Sequence, residues 1–202
     1  MRDLYLRGHI YRILIDPLLS GVLSGIISNI DKGNRIVDVA CGTGSLALSI
    51  AHAADQVTGI DLDRKLISYA SGRANKKGLR NRVQFIVRDA ASLSCYDDGE
   101  FDIAVTSMSV HQFELELAVN VLREMRRIAS KVIIADYNCP MPAGFSRSLA
   151  YGIERMARGD HYRNFNGYMN RGGLRYFTGM AGLSIKSIEV RGNGVFVVVV
   201  CE

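Results

Sequence analysis

The sequence predicts an α/β protein built on a seven-stranded, mostly parallel sheet, with helices on both faces and an antiparallel β-hairpin at the C-terminus. Three observations predict it. Short Val- and Ile-rich runs alternate with helix-periodic runs through the middle of the chain, and one of them opens directly into a glycine loop. The last two apolar runs stand too close together to hold a helix between them.

Residues 4–30 read as helical, with Asp16-Pro17 as a start signal. Arg35–Ala40 is the first strand, and Ser45–Ala54 carries apolar positions at helical spacing. Gln56–Asp61 and Val83–Arg88 are strands flanking a helix over Asp63–Lys77, which Gly78 caps. Phe101–Thr106 is the fourth strand. The clearest helix is His111–Ser130, where Leu115, Ala118, Leu122, Met125 and Ala129 recur at three and four residues. Lys131–Asp136 is the fifth strand. Such alternation implies right-handed crossovers and hence a parallel sheet. Leu183–Arg191 and Val195–Cys201, joined by Gly192-Asn193-Gly194, form the hairpin. The second arm is apolar throughout and is expected to insert into the sheet, buried on both faces. The first carries Lys186, Glu189 and Arg191, which suit an exposed edge.

At 202 residues the chain is long enough for one core, and a single domain over 1–202 is expected. Its 48% apolar and 22% charged residues are ordinary for a water-soluble protein. The net charge of +5 is mildly basic. The tightest basic groups, Arg73/Lys76/Lys77 and Arg123/Arg126/Arg127, fall on helical stretches and read as solvated helix faces rather than a nucleic-acid surface. Cys41, Cys95, Cys139 and Cys201 are widely separated, with no Cys/His spacing suited to zinc, so no metal is expected. Reduced, buried thiols and a cytoplasmic location follow. No leader signature opens the sequence, and the longest apolar run, Val195 to Cys201, is too short to cross a bilayer.

Gly42 and Gly44 stand between a strand and a helix, where backbone N–H groups can approach a ligand. Gly42-x-Gly44-x-x-Ala47 fits a dinucleotide pattern, and no phosphate-loop Gly-Lys-Ser/Thr follows. Asp61 ends the second strand, where its carboxylate can accept both ribose hydroxyls; nicotinamide enzymes use the same device. Ile60 and Leu62 flank it as apolar walls for an adenine ring. Asp89-Ala90 ends the third strand, where a carboxylate can receive the adenine amine and the next N–H a ring nitrogen. For Asp89 alone, an N-cap on residues 90–94 is the competing explanation. Together with Asp38, these carboxylates all stand at strand C-termini, where open α/β sheets bind ligands.

The stretches VDVACGTGSLAL, VTGIDLDRKLISYA, VQFIVRDAASL, FDIAVTSMSVHQF and LREMRRIASKVIIADY, over about residues 35–137, resemble the class I S-adenosylmethionine-dependent methyltransferases. Their closest likeness is to the small-molecule branch that includes ubiquinone/menaquinone-biosynthesis-type enzymes. The resemblance implies a Rossmann-like sheet and S-adenosylmethionine as cofactor. By it, Asp38 helps hold the methionine amino group, Gly42 and Gly44 lie beneath methionine and ribose, Asp61 binds the ribose, and Asp89 with Ala90 the adenine. Ser107 and Met108 line the methionine side. Ala40 departs from the family's usual glycine, and a methyl there is expected to sit at ordinary backbone angles. Tyr11 is expected to close over the cofactor, as part of an N-terminal helical lid over residues 1–30.

The implied partner is a small-molecule methyl acceptor. His111 stands where the family often has a histidine pair, here with Gln112 second, and is a candidate at the acceptor; local packing at the start of the long helix is the alternative. His161 and Tyr162 lie in residues 138–182, where the family often builds its substrate cover; Tyr162 and Phe165 are candidates to wall an apolar or aromatic acceptor, with core packing as the equal alternative. An apolar face on the N-terminal segment permits a homodimer. Two other readings compete. A nicotinamide-dependent oxidoreductase is disfavoured because no Tyr-x-x-x-Lys occurs. A methyltransferase-like binding protein lacks an aromatic-interleaved basic stripe, and Thr106-Ser107-Met108-Ser109 is unlike the Asn/Asp-Pro-Pro-Tyr/Phe of base methylases.

Overall fold

The computed structural model describes residues 20–202. Helical residues 20–27 (α1) lead into β1 (Arg35–Val39), α2 (Ser45–Ile50), β2 (Gln56–Asp61), α3 (Arg64–Lys76), β3 (Val83–Val87) and β4 (Phe101–Ser107). A 3-10 turn over Val110–Gln112 precedes α4 (Leu115–Ile128) and β5 (Ala129–Tyr137). Then come α5 (Phe145–Ala157), α6 (Gly159–Arg171), α7 (Leu174–Ala181), β6 (Ile185–Arg191) and β7 (Phe196–Cys201).

The seven strands order as β3-β2-β1-β4-β5-β7-β6. β1 to β5 pair in parallel, and β7 runs antiparallel between β5 and β6. The hairpin therefore does what its two arms dictate. β7 is buried at every residue, while β6, with Lys186, Glu189 and Arg191, forms the border. Successive side chains of a strand face opposite sides, so the unbroken burial of β7 and of Val132–Tyr137 means that both faces of the sheet are covered. On one side α1 packs so closely that a methyl on Gly25 would come within 3.1 Å of Val198.

Three stretches around the site depart from expectation. The helix after the glycine loop ends at Ile50 rather than Ala54, because the chain turns at Ala51–Ala53 to bring Asp55 N–H onto Asn34 C=O at 3.0 Å before β2. The long helix starts at Leu115 rather than His111. Residues 110–112 instead form a separate turn that draws His111 inward, and extended Phe113 and Glu114 break the helix. Residues 138–182 show no single pattern because they hold three helices, two of them meeting at Arg158 and Gly159, both with positive φ. By contrast, α3 begins where capping chemistry demands: Asp63 accepts the N–H groups of Lys65 and Leu66.

Candidate active site

The strand order reverses between β1 and β4, which opens a crevice beyond their C-terminal ends. Thr106 holds its two walls together, its hydroxyl donating to Val39 C=O at 2.7 Å and bonding to the Ser109 hydroxyl. The loop from Ala40 to Gly44 forms the floor. Asp61, ending β2, accepts Gly42 N–H on one oxygen at 2.8 Å and Asp63 N–H on the other at 2.9 Å. Arg73 of α3 secures the loop from outside, donating to Thr43 C=O and to the Ser45 hydroxyl, both at 2.8 Å. One of the two basic groups read as solvated faces thus has a structural task at the site.

The two loop glycines serve different ends. Gly42 has φ +52°, and a methyl built on it would meet nothing within 4 Å, so it borders open space. Gly44 has φ +71°, and a methyl there would lie 2.5 Å from the Phe85 ring and 2.9 Å from Ala70. Glycine at 44 is therefore required by packing beneath the loop. Ala40 corrects an expectation: its φ is +57°, in the left-handed region, where a methyl costs about 1–2 kcal/mol.

Asp38 is buried, and its carboxylate accepts Ala47 N–H at 3.1 Å, satisfying a free donor in the first turn of α2. Burial pushes its pKa up to about 7; the Ala47 bond opposes the shift, and the Asp61 charge adds to it. Leu62 is 71% exposed beside Asp61. Asp89 is exposed and accepts Ala91 N–H at 2.9 Å, closing a turn; residues 90–94 form no helix, so an N-cap role does not account for it. Ala90 is half-buried next to it. Ser107 lines a crevice of about 390 Å³ with Val22 and Leu23 of α1 and Ser45, Leu46 and Ser49 of α2. Met108 turns the chain there with φ +56°, its N–H on Ala135 C=O at 2.8 Å. Tyr11, Asp16 and Pro17 lie outside the described residues.

Beyond β4 and β5 the structure assembles a second group. His111 Nδ1 lies 2.6 Å from Asp136 Oδ1, and Asp136 also accepts the N–H groups of Tyr137 at 2.7 Å and His111 at 3.2 Å. Asp136 thus receives three donors when His111 carries its proton on Nδ1. The Nε2 side of His111 faces Glu154 Oε1 at 3.6 Å. Glu154 accepts the Tyr137 hydroxyl at 2.7 Å, and its other oxygen lies 2.6 Å from His161 Nε2. Burial pulls the His111 pKa down, but the Asp136 charge and hydrogen bond and the Glu154 charge outweigh it, leaving a net rise. The rings of Tyr137, Phe165 and Tyr168 surround His111 at 4.8, 6.1 and 6.3 Å.

His111 is only 1% exposed and is held inward by Asp136, so it packs locally, the alternative that the sequence left beside a place at the acceptor. Phe165 is fully buried and belongs to the core rather than to an acceptor wall. His161 and Tyr162 remain half-buried on α6. Asp136, Tyr137 and Glu154 were not singled out from sequence. Asp136 carried the same signal as Asp38, Asp61 and Asp89, a lone carboxylate ending a Val/Ile strand. Glu154 carried a fainter one, four residues after Ala150 on the buried side of α5.

The fold is a doubly wound α/β sheet closed by an antiparallel hairpin, and likeness to known proteins narrows its class. Residues 36–131 match the family described as a methyltransferase domain. The chain is 31% identical over 158 residues to 27-O-demethylrifamycin SV methyltransferase of Amycolatopsis mediterranei, covering 72% of this chain and 56% of the relative. It is 28% identical over 127 residues to 2-phytyl-1,4-naphtoquinone methyltransferase of Synechocystis, covering 59% and 53%. The chain spans about half the length of these curated relatives. A SAM dependent methyltransferase from Aquifex aeolicus shares the fold with a TM-score of 0.67 at 16% identity, over 96% of this chain and 97% of that one. Magnesium protoporphyrin IX methyltransferase from Synechocystis, solved with bound SAH, superposes with a TM-score of 0.63 at 17% identity, over 89% and 81%. The chain belongs to the class I S-adenosylmethionine-dependent methyltransferases. Among the described residues, no helix is long and apolar enough to cross a membrane.

Proposed function

We propose that this chain transfers a methyl group from S-adenosylmethionine to a small-molecule acceptor in the cytoplasm. The carrying observation is Asp61: both of its oxygens are aimed by backbone N–H groups, and it has no ion pair among the described residues. Each oxygen keeps a lone pair for a vicinal diol. Asp38 is the counterpart for the methionine amino group. Gly42 offers open backbone beneath the ligand, and Leu62, Asp89 and Ala90 form the adenine end. Ser107 borders the methionine end, and Tyr11 is assigned to a lid.

S-adenosylmethionine, when bound, supplies an electrophilic methyl on a sulfonium. The chain's own task is to align the acceptor in line with it and exclude water. His161 and Tyr162 are assigned to the acceptor, with the helices of 138–182 as its cover and His111 acting only through Glu154 and His161. A small acceptor rather than nucleic acid is favoured by the family likeness and by Ser107-Met108-Ser109. A homodimer through the N-terminal segment is compatible with this reading.

Thermal melting with S-adenosylmethionine, S-adenosylhomocysteine, NADH and NADPH tests the proposal. At about a hundred times Kd, a ligand adds roughly 2.7 kcal/mol. Stabilisation by the adenosyl sulfur compounds alone supports it. Stabilisation by the nicotinamides alone, or by none of the four, overturns it.

A further inference from the structure

We infer that His111 Nε2, Glu154 and His161 Nε2 form a binding site for a divalent first-row transition-metal ion. One ligand atom from each lies within 4.8 Å of the others, a span that three ligands around one small ion can close. The sequence hides the site, because its members come from the turn after β4, from α5 and from α6.

Three features of the surroundings point to an ion. The first is the outer support. Metal-bound imidazoles characteristically donate their other N–H to a carboxylate, and bound carboxylates are themselves hydrogen-bonded. His111 Nδ1 lies 2.6 Å from Asp136, so a proton carried on Nδ1 leaves Nε2, which faces Glu154 at 3.6 Å, as the ligating position, and the Tyr137 hydroxyl holds Glu154 at 2.7 Å. The second is charge. Asp136 and Glu154 are 0% and 5% exposed, and neither is paired with a lysine or arginine among the described residues; their only ionic partners are the two histidines. A dication between the imidazoles would balance two enclosed carboxylates, which are otherwise costly to bury. The third is access. His161 keeps 32% of its side chain exposed, so the ion would have an open side toward solvent. Three protein ligands with an open position is the arrangement of ions that bind an exchangeable oxygen ligand. Two imidazoles and one carboxylate suit zinc and its neighbours rather than calcium or magnesium.

Occupancy does not depend on the proposed methyl transfer; only the use of the open position by an oxygen of the acceptor rests on that reading. The test therefore uses neither cofactor nor acceptor. Untagged protein is stripped with a chelator, then titrated with Zn²⁺ by calorimetry and with Co²⁺ by visible absorbance. The expected result is one saturable site per chain, with Co²⁺ bands of nitrogen and oxygen ligation. His161→Gln and Glu154→Gln should each weaken it by at least about 100-fold, and Asp136→Asn, which keeps all three ligands, by about 10- to 100-fold. His161 is half-exposed, so its variant retains the fold, which melting verifies. Loss of Zn²⁺ affinity in His161→Gln at an unchanged melting temperature supports the site. No saturable binding, binding indifferent to these substitutions, or a Co²⁺–thiolate charge-transfer band from the free cysteines overturns it.

Discussion

The two groups of polar residues beyond the strand ends are built in opposite ways. The one proposed to hold the cofactor is made of backbone. Asp38, Gly42, Gly44 and Asp61 lie within 24 consecutive residues, and their bonds run from carboxylates to main-chain N–H groups of the same two strand–helix units. The one proposed to face the acceptor is made of side chains. His111, Asp136, Glu154 and His161 come from four segments spread over 51 residues and bond chiefly to one another. Backbone chemistry binds whatever carries the right diol and amine, whereas a side-chain cluster can be exchanged without disturbing the sheet. The first suits a cofactor shared by many enzymes, and the second suits an acceptor that differs between them.

The comparison breaks first on the stability of the acceptor side. Phe165 is fully buried between Tyr137 and Tyr151, at 5.2 and 5.0 Å. Phe165→Ala should cost about 3–5 kcal/mol in urea unfolding. If the halves are independent, S-adenosylhomocysteine affinity of the folded variant stays within about twofold, since the sites share no partners. A large loss of affinity would mean that the two sides are one unit.

Next in size is Asp61→Ala, which removes the acceptor proposed for the ribose and frees the loop N–H of Gly42. Charged hydrogen bonds are worth about 1.5–3 kcal/mol, so affinity for S-adenosylhomocysteine should fall roughly 100-fold by calorimetry. An unchanged affinity would remove Asp61 from the site.

A third effect separates the halves by pH. Free Asp38 has a pKa of about 7, raised from 3.8 chiefly by burial. The native chain therefore holds a proton there that the unfolded chain has lost, and Asp38's contribution to unliganded stability declines as pH rises from about 4 to 7. A ligand ammonium favours the ionised form, so affinity for S-adenosylhomocysteine should rise about tenfold between pH 6 and 8. Asp38→Asn should flatten that slope, and a slope that survives the substitution would assign it to another group.

The same contrast explains what the sequence made legible. The succession of strands and helices, the inserted last strand and the helix that follows β2 came from local pattern, because each depends on residues a few positions apart. So did the placement of Gly42 and Asp61 where strands meet the loop. Gly44 was legible only in part: its glycine is required by Phe85, forty-one residues away, which no local motif encodes. The His111 turn was misread as helix because its cause, Asp136, lies in the next strand. Glu154 and His161 were separate letters until the break at Arg158–Gly159 folded α6 back on α5.

The smallest effect lies in the loop itself. Ala40 holds φ +57°, where a Cβ costs about 1–2 kcal/mol, while glycine's extra freedom in the unfolded chain gives back roughly 0.5–1 kcal/mol. Ala40→Gly should therefore stabilise the chain by about 0.5–1 kcal/mol in urea unfolding. The backbone angles need not change, so on a floor built from main-chain groups the substitution should leave S-adenosylhomocysteine affinity unaltered. A gain in stability with unchanged affinity means that the methyl is strain carried by the loop. A loss of affinity would mean that the Ala40 methyl touches the ligand, and the cofactor side would then read its ligand through a side chain as well as through backbone.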